Sequence, residues 1–248
     1  MDPAALFESR DGGASWSLNR ALWEDPSRPE WIPGNGGLMV HTICAWPGES
    51  ARLLVGISAV GVFLTEDGGR TWRTGNEGIV PRYLPEEARA KPVGRCVHHV
   101  ERAALRPERL FMQFHGGVYR SDDAGESWID IGQGLLSDFG FPVVTDPRDP
   151  DAAWVIPMNS DRDRVTTDGR VRVFETRDAG TGWTAREAGL PADGYLTILR
   201  QAFCHDGGDP LGLYCGATSG EVFGSADVGV TWSLLARDLA PVLSIRAS

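Results

Sequence analysis

An all-β fold is predicted by three features of the 248-residue sequence: its residue bias, a turn motif repeated along it, and strand pairs spaced in step with that motif. The bias comes first. Thirty-one glycines, 16 prolines and nine tryptophans stand beside only four methionines, a balance that favours turns and strands over helices. With 42% hydrophobic and 23% charged residues, the composition is that of a globular chain able to bury a sizeable core.

The motif is an eight-residue segment that aligns five times without gaps. It begins at Ser9, Thr65, Ser121, Thr176 and Ser225, and every copy fits [ST]xDxGx[STG]W. Its aspartates (Asp11, Asp67, Asp123, Asp178 and Asp227) are 56, 56, 55 and 49 residues apart. Its tryptophans are Trp16, Trp72, Trp128, Trp183 and Trp232. The pattern reads as a hairpin turn: Asp accepts backbone N–H groups, Gly takes a positive φ, the hydroxyl adds a local bond and Trp packs between neighbouring sheets.

A short β-type segment precedes each turn and a strand is expected to start at each Trp. Further strand pairs are expected at 38–46 with 52–58, 96–105 with 109–114, 141–145 with 152–158, and 195–203 with 211–217. Four antiparallel strands per repeat of this length is the arithmetic of a β-propeller, whose blades bury their faces only against one another. One propeller domain is expected, with complete blades at 38–74, 96–130, 141–185 and 195–235, a partial blade at 1–18 and a closing strand at 241–246. The surplus hairpin suggests either a small irregular ring or a larger propeller lacking blades at its N-terminus. An open ring would expose blade faces and favour self-association.

On these residues the sequence resembles the Asp-box (BNR) repeat β-propellers. That group includes WD40/YVTN-like bacterial repeat proteins and, more distantly, sialidase-like propellers and the sortilin ectodomain. The sialidase branch implies a glycoside hydrolase with an arginine cluster, a tyrosine nucleophile and an aspartic acid/base. The arginine-isoleucine-proline signature of that branch occurs nowhere in the chain. Tyr83, Tyr195 and Asp138 are the candidate catalytic residues, and none is supported by its spacing.

Strand alternation puts the box turns and the first-to-second strand turns at one end and the long connections 19–37, 75–95 and 159–170 at the other. Long loops on a rigid scaffold usually carry function, so the long-loop face and channel mouth form the expected site. Candidate ligand-binding residues there are Trp31, His41, Arg82, Arg95, His98 and His115. His41 and His98 are 57 residues apart, one repeat period. His115 opens a turn at the same end and His99 and Cys96 are near His98, so a His/Cys metal site is conceivable, but HxH and HExxH spacings are lacking and no metal and no cofactor is assigned. The five box aspartates read as structural, because five copies of one turn residue cannot converge on one reaction centre.

The expected function is therefore a non-catalytic propeller that binds a small molecule, a glycan or a protein partner. A diverged glycoside hydrolase and an interaction scaffold are the alternatives. A net charge of −10 with scattered arginines argues against nucleic-acid binding. The longest near-apolar run, 53–64, is too short to span a membrane, and a basic n-region with an apolar h-region is lacking, so a cytoplasmic location is the expectation. Cys44, Cys96, Cys204 and Cys215 have no CxxC spacing and read as free thiols.

Overall fold

The computed structural model describes residues 3–247. An N-terminal two-stranded hairpin, β1 (Phe7–Glu8) and β2 (Ser17–Leu18), leads into a helical turn α1 (Arg20–Trp23). Four antiparallel four-stranded sheets follow. The first holds β3 (Val40–Trp46), β4 (Glu49–Ile57), β5 (Gly61–Thr65) and β6 (Arg73–Thr74). After a short helix, α2 (Glu86–Arg89), the second holds β7 (Val97–Arg102), β8 (Leu110–Phe114), β9 (Gly117–Ser121) and β10 (Ile129–Asp130). The third holds β11 (Gly140–Thr145), β12 (Ala153–Pro157), β13 (Val173–Thr176) and β14 (Thr184–Arg186). The fourth holds β15 (Ile198–His205), β16 (Leu213–Ala217), β17 (Val222–Ser225) and β18 (Ser233–Ala236). This is the all-β, four-stranded-blade architecture that the repeat predicts. The outer strands begin one residue after the box Trp, because the Trp still belongs to the turn.

The middle strands are buried on both faces: every residue of β5, β8, β12 and β13 is buried, and Trp154, Phe111 and Phe114 are fully enclosed. Alternation is lost there because each blade is covered by a neighbour on either side. The apolar clusters lie between consecutive sheets. Leu54, Leu64, Leu110 and Met112 fill the space between the first and second, Phe111, Val118, Val155 and Phe174 that between the second and third, and Trp154, Val173, Leu213 and Phe223 that between the third and fourth. Each fully buried side chain of this size contributes about 2–3 kcal/mol from area removed from water.

The box turns have one geometry. In the second blade the Ser121 hydroxyl donates to Asp123 Oδ1 (2.8 Å) and accepts from Gly125 N–H (2.8 Å), while Asp123 Oδ1 accepts from Ser127 N–H (2.9 Å). The corresponding bonds recur at Asp11, Asp67, Asp178 and Asp227. The tryptophans then join blades: Trp128 Nε1 donates to Gly75 O (2.9 Å) and Trp183 Nε1 to Ile131 O (2.7 Å), each a carbonyl of the preceding blade. Trp72 Nε1 likewise reaches Asn19 Oδ1 (3.1 Å), so the hairpin β1–β2 stands to the first sheet as one blade's outer strands stand to the next. Gly189 shows how tight such a junction is: its φ is 86°, and a Cβ there would overlap the Trp232 carbonyl oxygen.

Two expectations are corrected. Trp16 does not pack between sheets; it is 64% exposed, because the described residues place no blade before the hairpin. Residues 241–246 do not close a ring with that hairpin. They run parallel beside β15 of their own blade, through a Gln201–Ser244 bridge and the bond from Ile245 N–H to Gln201 O (2.8 Å). The innermost strands pack β3 on β7, β7 on β11 and β11 on β15. Leu234, Leu235, Leu239 and Leu243 stay exposed on or just beyond the outer strand of the last blade. Among the described residues no helix is long and apolar enough to cross a membrane.

Candidate functional site

The two ends of the blades differ as strand alternation requires. In the four complete blades the box turn bonds to the chain that links the first and second strands, as in Gly68 N–H to Ala51 O and Ala124 N–H to Glu108 O (both 2.8 Å). The long connections gather at the other end, around a cavity of about 800 Å³.

The innermost strands explain which side chains reach it. Every one breaks register with its partner: between Val40 and Thr42, between Val97 and His99, between Gly140 and Val143, and between Ile198 and Phe203. A bulge adds backbone to one strand and re-aims the side chain it carries. His41, His98, Phe141 and Arg200 sit in these four breaks, and all four line the cavity. The loops add Tyr83, Cys96, His115, Phe139, Asp161, Arg162 and Arg164. His41 also lines a smaller cavity of about 320 Å³ with Ile43, His99, Glu101 and Gln201.

The rings form a connected wall. His98 lies 4.9 Å from Phe141, 5.4 Å from Phe139 and 5.4 Å from His115, and His115 lies 4.5 Å from Tyr83, all between centroids. His98 Nδ1 is 2.6 Å from Gly140 O. Burial holds His41 down at about 3 and pushes His98 well below its usual value, with Arg200 adding to both, and burial also lowers His115. The histidines are therefore neutral donors and acceptors near neutral pH.

Arg200 is the charged group of this wall. Its guanidinium lies 4.5 Å from the Phe141 ring, and Arg164 lies 5.7 Å from the same ring. Among the described residues Arg200 has no ion-pair partner, and its buried Nε has no hydrogen-bond acceptor. Burial brings its pKa down to about 10, which leaves it charged at neutral pH. Arg162 and Arg164 line the same mouth with Asp161, while Lys91 and Glu30 at the rim pair with each other at 3.5 Å. A cationic mouth on a chain of net charge −10 suits an anionic ligand.

Of the candidates read from the sequence, His41, His98, His115 and Tyr83 meet at the cavity. Trp31 does not: it is 5% exposed, packs 5.2 Å from Phe63 in the core and donates to Ser27 Oγ. Arg82 turns outward to Asp130 Oδ2 (2.9 Å). Arg95 is buried and donates to the carbonyls of Arg89, Lys91 and Val93, knitting its own loop together. Tyr195 lies outside the cavity over Gly169, and Asp138 is exposed beside it. Tyr83 is poorly suited to be a nucleophile, since its hydroxyl donates to Gly94 O (3.0 Å) and accepts from Cys96 N–H (2.8 Å), and burial raises its pKa. Phe139, Phe141 and Arg200 escaped the sequence reading. The signal for Arg200 and Phe141 was positional, the same place on the innermost strand that His41 and His98 occupy.

No protein-family model matches the sequence, and neither does any curated protein. Among solved structures the chain is similar to a GH74 xyloglucanase from Xanthomonas campestris, with a TM-score of 0.59 and 18% identity over 96% of this chain and 37% of that one. It is also similar to YCF48 bound to D1 peptide, at a TM-score of 0.56 and 17% identity over 94% of this chain and 61% of that one. An extracellular domain of BT4673 from B. thetaiotaomicron matches with a TM-score of 0.54 and 15% identity, over 100% of this chain and 28% of that one. The chain spans only 25% of an ancestral GH74 enzyme and 34% of another from Niastella koreensis. At these identities the likeness establishes the β-propeller-type fold.

Proposed function

We propose that this propeller binds a carboxylate-bearing or otherwise anionic ligand, such as an acidic glycan or an acidic protein segment, at the channel mouth. The observation that carries the reading is Arg200, a half-buried guanidinium stacked on Phe141, its buried Nε without an acceptor and with no carboxylate of its own. An unpaired buried charge is costly and persists where an external anion offsets it. The Tyr83 and His115 rings, backed by the buried Phe139 and Phe141, offer flat faces for the ligand's apolar parts, and neutral His41 offers a further polar contact. The GH74 and YCF48 neighbours support binding of glycan or peptide by such a fold in general terms.

Calorimetric titration with a glucuronate-bearing oligosaccharide and with an acidic peptide tests this. Binding is expected to weaken at least roughly tenfold in Arg200→Gln and to fall with added salt. Binding equal in both proteins, or confined to uncharged sugars, would remove the anion reading. A hydrolase reading would instead require turnover of an aryl glycoside. With the Tyr83 hydroxyl engaged in two backbone bonds, we expect none.

The exposed leucines of the last blade favour a second property, self-association through that face. Sedimentation should show a concentration-dependent shift, and a monodisperse monomer would dispose of it.

A further inference from the structure

We infer that Cys96, His98 and His115 form a binding site for one thiophilic divalent transition-metal ion of the zinc class, with its remaining coordination position open to the cavity. The ligand atoms of these three side chains all lie within 4.8 Å of one another. Zinc bonds of about 2.0–2.1 Å to nitrogen and about 2.3 Å to sulfur require donors somewhat closer than that, a difference that side-chain rotation covers.

Their convergence follows from the backbone. Cys96 and His115 flank the last β7–β8 pair, Val97 opposite Phe114, and the bond from His115 N–H to Cys96 O (3.0 Å) holds their main chains side by side. His98 sits in the bulge of β7, where the ladder breaks and its ring turns toward the same corner. A second observation points to a metal. The neighbour of His98 Nδ1 is the Gly140 carbonyl, which can only accept, so Nδ1 carries the proton and Nε2 keeps its lone pair. Metal-binding histidines are characteristically fixed by such a bond from the other ring nitrogen. Cys96 and His115 are only partly buried, which leaves an entry path from the cavity.

The donor set of one sulfur and two nitrogens suits zinc or cobalt(II) and is too soft for calcium or magnesium. Three protein ligands with an open position is the arrangement of exchangeable rather than closed structural sites. Arg200 lines the same cavity, so the fourth ligand is expected to be an anion, hydroxide or chloride in simple buffer. The site stands apart from the anion-binding proposal, because it requires only the metal.

Titration of the chelator-stripped full chain with cobalt(II), followed by absorbance, tests it. One equivalent is expected to produce the near-ultraviolet thiolate-to-cobalt band and visible d–d bands of low-coordinate cobalt, both removed by stoichiometric zinc(II). Cys96→Ser should abolish the thiolate band. His115→Ala should weaken cobalt binding by more than the roughly 10–100-fold that loss of an outer hydrogen-bond partner costs. Cys204→Ser, on the far end of β15, should titrate like the parent. Circular dichroism and melting of each stripped variant separate loss of the site from loss of the fold, and His115→Ala serves if Cys96→Ser does not fold. Absence of a thiolate band at saturating cobalt, or its survival in Cys96→Ser, would overturn the assignment.

Discussion

Two clusters of charge at opposite ends of this propeller are held in opposite ways. At the box-turn end Arg109, with its side chain 7% exposed, meets Asp122 Oδ1 at 2.7 Å and also pairs with Asp151, while Glu175, 4% exposed, is clamped by Arg177 (2.7 Å) and Arg186 (2.6 Å). The box aspartates add hydroxyl and backbone donors, which hold their carboxyls below the ordinary range. At the long-loop end Arg200 has no such partner and the cavity histidines are kept neutral. The difference teaches where binding capacity lies. Polar groups satisfied by the chain itself stabilise the fold, and those left unsatisfied are available to something else.

The sharpest way to break this comparison is to remove one guanidinium from each end. Arg109→Leu removes two charge-assisted bonds, leaving Asp122 to Arg120 (2.9 Å) and Asp151 to solvent, and is expected to cost about 3 kcal/mol in denaturant unfolding. A cost near that of an ordinary surface change would show that the box-end network is decorative. Next in size is Gly189→Ala, at the junction of the last two blades. Its positive φ and the overlap with the Trp232 carbonyl should together cost about 2–3 kcal/mol, seen as a lowered melting temperature.

The fold was legible in the sequence because the box repeat is local: a hydroxyl, an aspartate and a glycine within five positions make the same turn wherever they occur. Ser9 and Ser225 build the same turn although one is half-buried and the other buried. The site was legible only in part. His41 and His98 drew notice as a chemically distinctive pair one repeat apart, whereas Arg200 and Phe141 occupy the same bulged position without sharing their chemistry. Trp31, Arg82 and Arg95 looked like ligand contacts because they lie on long loops, but a long loop needs its own core and its own hydrogen bonds, and these three supply them. Position 241–246 read as a strand from its apolar residues, and tertiary pairing with Gln201 decided its place instead.

A third expected effect is on pH dependence. His41, held down at about 3, and His99, held down at about 4, are depressed by burial, as is His98, so the unfolded chain takes up protons on them first. For a base with a lowered folded pKa, stability is complete above the unfolded value of about 6.5 and is lost as pH falls below it. Glu101, which burial pushes up to about 7, opposes this by favouring the folded state at lower pH. Burial lowers His115 and His205 as well, so five histidines against one carboxyl leave a net loss of stability between about pH 7 and about pH 5. Guanidinium titrations at the two pH values measure it. A flat profile, or one unchanged in His41→Asn, would show that the channel histidines are already hydrated.

The smallest expected change in stability is the most discriminating. Arg200→Leu removes an unpaired, half-buried charge and leaves an apolar side chain against Phe141, so its effect on unfolding should lie between zero and about 1 kcal/mol of stabilisation. Set beside Arg109→Leu, it compares the same substitution at the two ends, with opposite signs expected. A functional residue that opposes stability is retained for what it binds, so the variant should also lose affinity for the anionic probes. Loss of stability comparable to that of Arg109→Leu would mean that Arg200 is held by the fold after all, through its contact with Phe141, and the contrast between the two ends would dissolve.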